Sequence, residues 1–472
     1  MMNAIKYFNL EVFAMYRITN HQYNLLLELS KYDDVFIVGG YVRDLLLGKN
    51  SNDIDVLAMK NAKEIAIELA DKYGGSFIVL DEQHNVFRVV FTTLNVSIDI
   101  VGPKGPALFD DLRSRDFTVN GLAIGIKDLI DFYIEYNNTC VNLCEAEHDK
   151  TNYIKSRLNG ITIDVVDGIK DLAEKRLAIV YEHTFLDDPL RILRGVRLAA
   201  THGFDISDDT IVLMNEAKHL IFKVSYERIR EEIWSIFNLY NSFESMRFLD
   251  YEVPLLQELL GVASYDDKQS IARKIELLCQ LEGILNEQMV NGRIRLKKYL
   301  LELLSCGKTR YQLLKFALLI HDVPSKQAEN IARIWKLSKR ETDILTCLVS
   351  DYKGTVAIEC REDDKNKLYA LYETLGVEVL GVIILQLIIN EKSNDEVAWN
   401  NCLEFIGRYL AFYDSIEALP PLLTGQQLID NLRIPPGPQV GFLLKLVRKA
   451  QITGQVNNVE EAFIYLRTYK SK

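Results

Sequence analysis

The chain has 472 residues, 48% hydrophobic and 26% charged, with a formal net charge of −11. That length is enough to bury the cores of two to four domains, and the composition is that of an ordinary soluble globular protein. The acidic balance excludes a protein that coats nucleic acid with its whole surface, so such a partner must be sought in local clusters.

The opening run MMNAIKYFNLEVF is interrupted by Lys6, Asn9 and Glu11 and predicts no secretory signal. Residues 375–389, the most apolar stretch, carry Glu378 and Gln386 and are too short to span a bilayer. Seven cysteines without framework spacing fit reduced thiols. Together these predict a cytoplasmic protein with no membrane partner.

In chain order, Val35-Phe36-Ile37-Val38 predicts a strand, Gly39-Gly40 a tight turn, and residues 41–47 a helix. Two adjacent glycines let backbone approach a ligand closely and aim N–H groups outward, which suits a triphosphate. Residues 53–57 predict a second strand, on which Asp53 and Asp55 share a face while Ile54 turns to the core. Two such carboxylates can hold Mg²⁺. A calcium loop is excluded, because Leu57 and Ala58 stand where an acidic residue and a glycine are needed.

Residues 62–73 predict an amphipathic helix, and 76–80, 86–92 and 96–101 predict strands. On the last, Asp99 is the candidate third carboxylate; its bland reading is an edge-strand Asp in water. In DLRSRDFTVNGLA (111–123), Arg115 can offer a fork of donors to phosphate or ribose oxygens, with Asp116 holding the fork in place. Residues 131–164, rich in Asn and Glu, predict an incidental polar loop. Their Cys140, Cys144 and His148, spaced by four, make a poor zinc site without a second pair of ligands.

Beyond residue 173 helical periodicity dominates. In FLDDPLRILRGVRLAATHGF (185–204), Asp188, Arg191, Arg194 and Arg197 recur every three residues, so successive members neighbour one another on a helix. Taken alone, they form a solvated stripe of ion pairs worth roughly a few tenths of a kcal/mol each. Residues 292–340 hold twelve Lys or Arg against Glu302, Asp322 and Glu329, a net of +9. Such a block can track a phosphate backbone or form solvated helix faces.

The order Gly-Gly, Val-Arg-Asp, loop, Asp-x-Asp over residues 39–55 resembles the signature of polymerase-β-like nucleotidyltransferases. More narrowly it resembles the class II branch of CCA-adding enzymes and bacterial poly(A) polymerases. Residues 114–121 are similar to the family's Arg-Arg-Asp-Phe-Thr-x-Asn-Ala, with Ser114 and Gly121 departing from it. Residues 187–191 resemble Glu-Asp-x-x-Arg, with Asp187 for the Glu and with Asp188 and Arg191 matching. VSYERIREEI (224–233) resembles the neck-helix motif through Glu227, Arg228 and Glu232, and residues 424–454 resemble the tail. FALLIHDV (316–323) resembles the centre of HD-domain phosphohydrolases. The upstream His such a site needs is missing, His219 being the nearest, so a degenerate remnant or coincidence is the better reading.

The resemblance implies an α/β N-terminal nucleotidyltransferase head, a mixed sheet of about five strands with flanking helices, followed by all-α neck, body and tail domains. The expected boundaries are 1–150, 151–245, 246–355 and 356–472. It implies Mg²⁺-dependent transfer from CTP or ATP to the 3′ hydroxyl of a tRNA, releasing pyrophosphate. Asp53 and Asp55 would hold the metal, and Asp99 would complete its shell or accept the proton. Gly39, Gly40, Arg43 and Arg115 would hold triphosphate or ribose. Asp188 and Arg191 would pair with the base, beside Arg194 and Arg197. Arg293, Arg295, Lys297 and Lys298 would contact the RNA.

Poly(A) polymerases of the family usually end in a strongly basic extension, whereas this chain ends in YKSK, which favours tRNA. Relatives that build the whole CCA end usually carry a flexible loop after the third carboxylate. Here eleven residues, 100–110, separate Asp99 from Asp111, with Gly102, Pro103, Gly105 and Pro106 among them. A CC-adding or A-adding partial enzyme, a poly(A) polymerase and an idle RNA-binding protein therefore stay open, as does the oligomeric state.

Overall fold

Seven short strands carry the N-terminal part of the chain: β1 Val35–Val38, β2 Asp53–Ala58, β3 Ser76–Asp81, β4 Val86–Phe91, β5 Val96–Val101, β6 Leu122–Gly125 and β7 Thr162–Asp164. They form one sheet in the order β3-β4-β5-β2-β1-β6-β7. β2 and β5 run parallel, and every other neighbouring pair is antiparallel. The computed structural model describes residues 19–49, 51–143, 147–261, 268–290, 294–305, 307–350, 365–390 and 396–470. It divides between Glu232 and Ile233 into two compact units.

The central strands obey a period of two. Val96, Ile98 and Ile100 of β5 are buried, while Ser97, Asp99 and Val101 face the other side. Ile54 and Val56 of β2 are buried likewise, leaving Asp53 and Asp55 on the open face. Helix α1 (Ala62–Tyr73) buries Ile65, Ala66, Leu69 and Ala70 and ends at Gly74 in the left-handed conformation.

Residues 131–164 depart from the expected loop. They continue a helix, α2 (Ile126–Leu143), add a second, α3 (Glu147–Ile161), and return as β7, which pairs with β6 from Leu122↔Asp164 to Ile124↔Thr162. The sheet thus has seven strands where about five were expected. The cause lies in apolar residues at helical spacing, Ile126, Leu129, Ile130 and Tyr133 on α2 with Ile154 and Leu158 on α3, all buried. The boundary expected at residue 150 falls inside α3. The side chains of Cys140, Cys144 and His148 lie outside the described residues.

Among its described residues the second unit, Ile233–Lys472, is helical apart from a two-stranded hairpin, Leu303–Ser305 with Lys308–Thr309. Its core packs Trp234, Phe316 and Trp335 as tilted rings, with centroids 4.9–5.8 Å apart. The helical run Lys365–Ile389 is, among the described residues, the one candidate long and apolar enough to cross a membrane. A 3₁₀ turn at Gly376–Glu378 breaks it, and Val379, Leu380 and Ile384 are buried inside the unit.

The basic block of residues 292–340 is not one surface. Lys308, Arg310 and Lys315 are buried. Lys315 Nζ meets Glu282 at 2.6 Å and the Phe237 carbonyl at 2.6 Å; Arg310 is paired with Glu302 and, at 2.7 Å, with Glu378. Arg310 and Lys315 belong to the helix Arg310–Leu319, which is buried on every side, and Lys308 to the hairpin strand before it. In the segment that resembles an HD centre, Asp322 pairs with Lys274 at 2.7 Å.

Candidate active site

Parallel pairing of β2 with β5 brings the carboxylates together: Asp53 lies opposite Ser97, and Asp55 opposite Asp99. Across the antiparallel neighbour, Arg88 of β4 lies opposite Asp99 and grips both its oxygens, Nε–Oδ1 at 2.6 Å and Nη2–Oδ2 at 2.7 Å. Asp53 accepts a hydrogen bond from the Ser97 hydroxyl. Burial pushes the Asp55 carboxyl up; Arg115 counters this and Asp99 adds to it.

The Gly-Gly turn does something other than aim free amides at a ligand. Gly39 N–H donates to the Leu122 carbonyl at 3.1 Å, and Gly40 N–H donates to Asp55. Gly39 sits at φ +66°, and a Cβ there would lie 2.7 Å from Arg115 Nη1 and 3.3 Å from Asp55 Oδ2. Glycine is suited to the turn because its φ is positive and the Arg115 and Asp55 side chains crowd it.

Arg115 is held by Asp111, at 3.2 Å from Nε and 2.9 Å from Nη2, and not by Asp116 as expected. The two residues are four apart, so one helical turn brings them together. Asp116 instead accepts from Arg194 Nε at 2.7 Å, Asn120 Nδ2 at 3.0 Å and Phe117 N–H at 2.9 Å. Burial alone would raise its carboxyl; these partners, Arg194 foremost, hold it below the usual range. Arg43 is buried beneath, donating to Asn120 Oδ1 at 2.7 Å and Asp44 at 2.9 Å. It shapes the floor through Asn120.

The stripe of residues 188–197 starts later than its spacing suggests. Pro189 follows Asp188, which is extended (φ −146°), and the helix α4 runs Arg191–His202. Asp188 Oδ1 accepts from Leu190 N–H at 3.2 Å, and Arg228 Nη2 lies 2.7 Å from Oδ2. Arg191 Nη1 donates to Tyr181 Oη at 2.7 Å and Thr184 Oγ1 at 2.8 Å. Arg197 turns to Glu232 at 2.6 Å. Gly195 lets α4 press on Phe117, since a Cβ would meet that ring at 2.7 Å.

These elements enclose a cleft of about 380 Å³ walled by Gly39, Gly40, Asp55, Asp99, Arg115, Asp188, Arg191 and Arg194. Of the other predicted residues, Asp53 is exposed at the start of β2, while Arg43 and Arg197 are absent from the wall. His84, Lys104, Arg228 and Glu232 also line the cleft. Only the last two carried any sequence signal, the neck-helix motif, and that pointed to a bracing role. In the second unit Lys297 and Lys298 are exposed, and Arg295 pairs with Asp414 at 3.1 Å. Arg293 lies outside the described residues.

A mixed sheet that sets an Asp-x-Asp strand in parallel register with a third carboxylate, behind a glycine turn, defines a polymerase-β-type nucleotidyltransferase head. Residues 35–137 match the poly(A) polymerase head domain, and residues 308–466 match tRNA nucleotidyltransferase domain 2. The chain is 28% identical over 442 residues to a CC-adding tRNA nucleotidyltransferase of Geobacter sulfurreducens, covering 91% of each protein. It is 25% identical over 452 residues to a CCA-adding enzyme of Lactococcus lactis, covering 93% of each. A solved CCA-adding enzyme in complex with ATP shares the fold, with a TM-score of 0.65 at 19% identity over 98% of this chain and 97% of that one. The chain thus combines a poly(A) polymerase head domain with a tRNA nucleotidyltransferase domain 2, and over nine-tenths of its length it is similar to enzymes named CC-adding and CCA-adding.

Proposed function

We propose that this chain is a cytoplasmic tRNA nucleotidyltransferase that adds the two cytidines of the CCA end from CTP, releasing pyrophosphate. The observation that carries the reading is the single cleft in which Asp55 and Asp99 face the base-pairing candidates Asp188 and Arg191. Restriction to cytidine is supported by the connection after Asp99. Gly102 N–H donates to the Asn85 carbonyl at 3.0 Å, Lys104 N–H to Asp111 at 3.2 Å, and Ala107 N–H to Asp110 at 3.0 Å. A segment so short and so tied has little freedom to reshape the site for ATP. The relatives named CC-adding, in Geobacter sulfurreducens and Synechocystis, at 28% and 29% identity, support it too.

Asp53 and Asp55 fit Mg²⁺. They share one strand face, and Asp55 has its carboxyl raised by burial and by Asp99, a strain that a cation would relieve. Bound there, Mg²⁺ would lower the pKa of the attacking 3′ hydroxyl and offset charge on the leaving pyrophosphate. Arg115, braced by Asp111, offers its fork to triphosphate or ribose, and Arg194, braced by Asp116, lies beside it on the cleft wall. Asp188 and Arg191 meet the edge of the base, with Asp188 accepting from an exocyclic amine and Arg191 donating.

The test is incorporation of labelled CTP or ATP into tRNA transcripts ending in the discriminator base, C or CC. We expect two cytidines and arrest. Robust ATP addition to the CC transcript would contradict the cytidine-only reading, and no incorporation of either nucleotide would contradict the enzyme.

A further inference from the structure

Three carboxylates on adjoining strands make a strongly negative site, and the structure already holds a cation against one of them. Arg88 and Asp99 are cross-strand partners in register, and the guanidinium occupies both Asp99 oxygens at 2.6 and 2.7 Å. This is the bidentate geometry in which arginine binds carboxylate most strongly, and a guanidinium keeps its charge at any pH a protein tolerates. On the other side Asp55 lies opposite Asp99 and accepts from the Gly40 N–H. Among the described residues no three His, Cys, Asp or Glu side chains converge to ligate a metal. Asp99 is turned to Arg88, leaving Asp53 and Asp55 as a pair.

We propose that Arg88 is a positioning residue that withholds Asp99 from the metal, so that Asp53 and Asp55 bind a divalent cation weakly until phosphate oxygens complete its shell. This rests on the metal reading given under Proposed function. Its consequence is that metal and nucleotide arrive together: a pair of carboxylates leaves most of a six-oxygen shell to water and substrate. Freed from Arg88, Asp99 would add a third carboxylate and a full negative charge, and the nucleotide-free site would tighten.

The experiment is a Mn²⁺ titration of the full-length protein without nucleotide, followed by the electron paramagnetic resonance of free Mn²⁺. R88Q, which removes the charge and keeps a polar side chain, should bind Mn²⁺ about fivefold more tightly than wild type, the order expected when one charge a few ångströms away is lost in a water-open cleft. In a D99N background R88Q should gain clearly less, because only the direct loss of the Arg88 charge, which also acts on Asp53 and Asp55, then remains; an equal gain in both backgrounds would overturn the proposal. An affinity in R88Q equal to or below wild type overturns the proposal. If thermal melts show R88Q unfolded, R88K serves instead. Its ammonium cannot span both oxygens, so tighter binding is again expected, and unchanged binding overturns the proposal. D53N/D55N separates the two levels: if it binds Mn²⁺ as wild type does, the metal reading of that pair fails, whatever Arg88 does.

Discussion

Asp188 meets Arg228 and the Leu190 amide, one on each oxygen. A carboxylate so fixed can accept from the exocyclic amine of a cytosine but offers nothing to a carbonyl in that place. A site with fixed polar partners rejects the wrong base because its own groups are then left unpaired. Asp188→Ala should therefore erode C-over-U selection by about tenfold or more, read from single-nucleotide incorporation, while transfer persists. Unchanged base preference would mean that Asp188 does not touch the base. The candidate site residues were legible where a local period or motif exposes them: Asp53, Asp55 and Asp99 through strand alternation, Asp188 and Arg191 through the motif. Their partners were not. Arg228 stands 40 positions from Asp188, and the exchange of Asp116 for Asp111 as the brace of Arg115 depends on where a helical turn ends.

At the scale of elements, α4 is positioned at both ends. Near its start Gly195 lies against Phe117, and adding a methyl must push that ring or Met214, which would be met at 2.9 Å. Gly195→Ala should cost about 1–3 kcal/mol in a urea melt and weaken CTP binding by displacing Arg194 from Asp116. At its end His202 stacks on Phe204 and lies 3.0 Å from Lys49 Nζ and 3.7 Å from Asp44. Burial, together with Arg43, Lys49 and Arg197, pushes its imidazole down to about 3. A histidine held neutral in the fold takes up its proton more readily when unfolded. Its contribution is present above the unfolded pKa near 6.5 and is lost as pH falls towards 3. His202→Leu should flatten the decline in melting temperature between about pH 6.5 and 4; an unaltered decline would place the pH sensitivity elsewhere. Strands β3, β4 and β5 emerged within a residue of their expected limits: β4 and β5 because alternating burial writes a clear pattern, and β3, largely exposed, because turn residues bracket its β-rich run. The α2–α3–β7 excursion did not, since its Asn and Glu content hid buried apolar positions three and four apart.

For the whole molecule, counting charge along the sequence overstated the RNA-binding surface. Lys308, Arg310 and Lys315 spend their charge inside the second unit, whereas Arg295, Lys297 and Lys298 are exposed. Neutralising those three should lower the slope of log K against log salt for tRNA binding by about two to three, one unit per lost phosphate contact. An unchanged slope would leave them as solvated charges. Lys315→Ala should instead lower thermal stability, because Glu282 is left buried without its cation. The division into an α/β head and a helical remainder was legible from the change of period. Which cations face water was not, because burial is set by contacts between distant segments.

The central claim is that nucleotidyl transfer takes place at the Asp53–Asp55 pair. Its most direct test is the rate of cytidine addition to tRNA lacking its CCA end, at saturating CTP and Mg²⁺, for the wild type and Asp55→Asn. The isosteric change keeps a hydrogen-bond acceptor for Gly40 N–H and removes the charge. A fall of about a thousandfold or more with an unchanged melting temperature is predicted, as expected when metal-ion stabilisation of several kcal/mol is lost. Turnover close to wild type would contradict it.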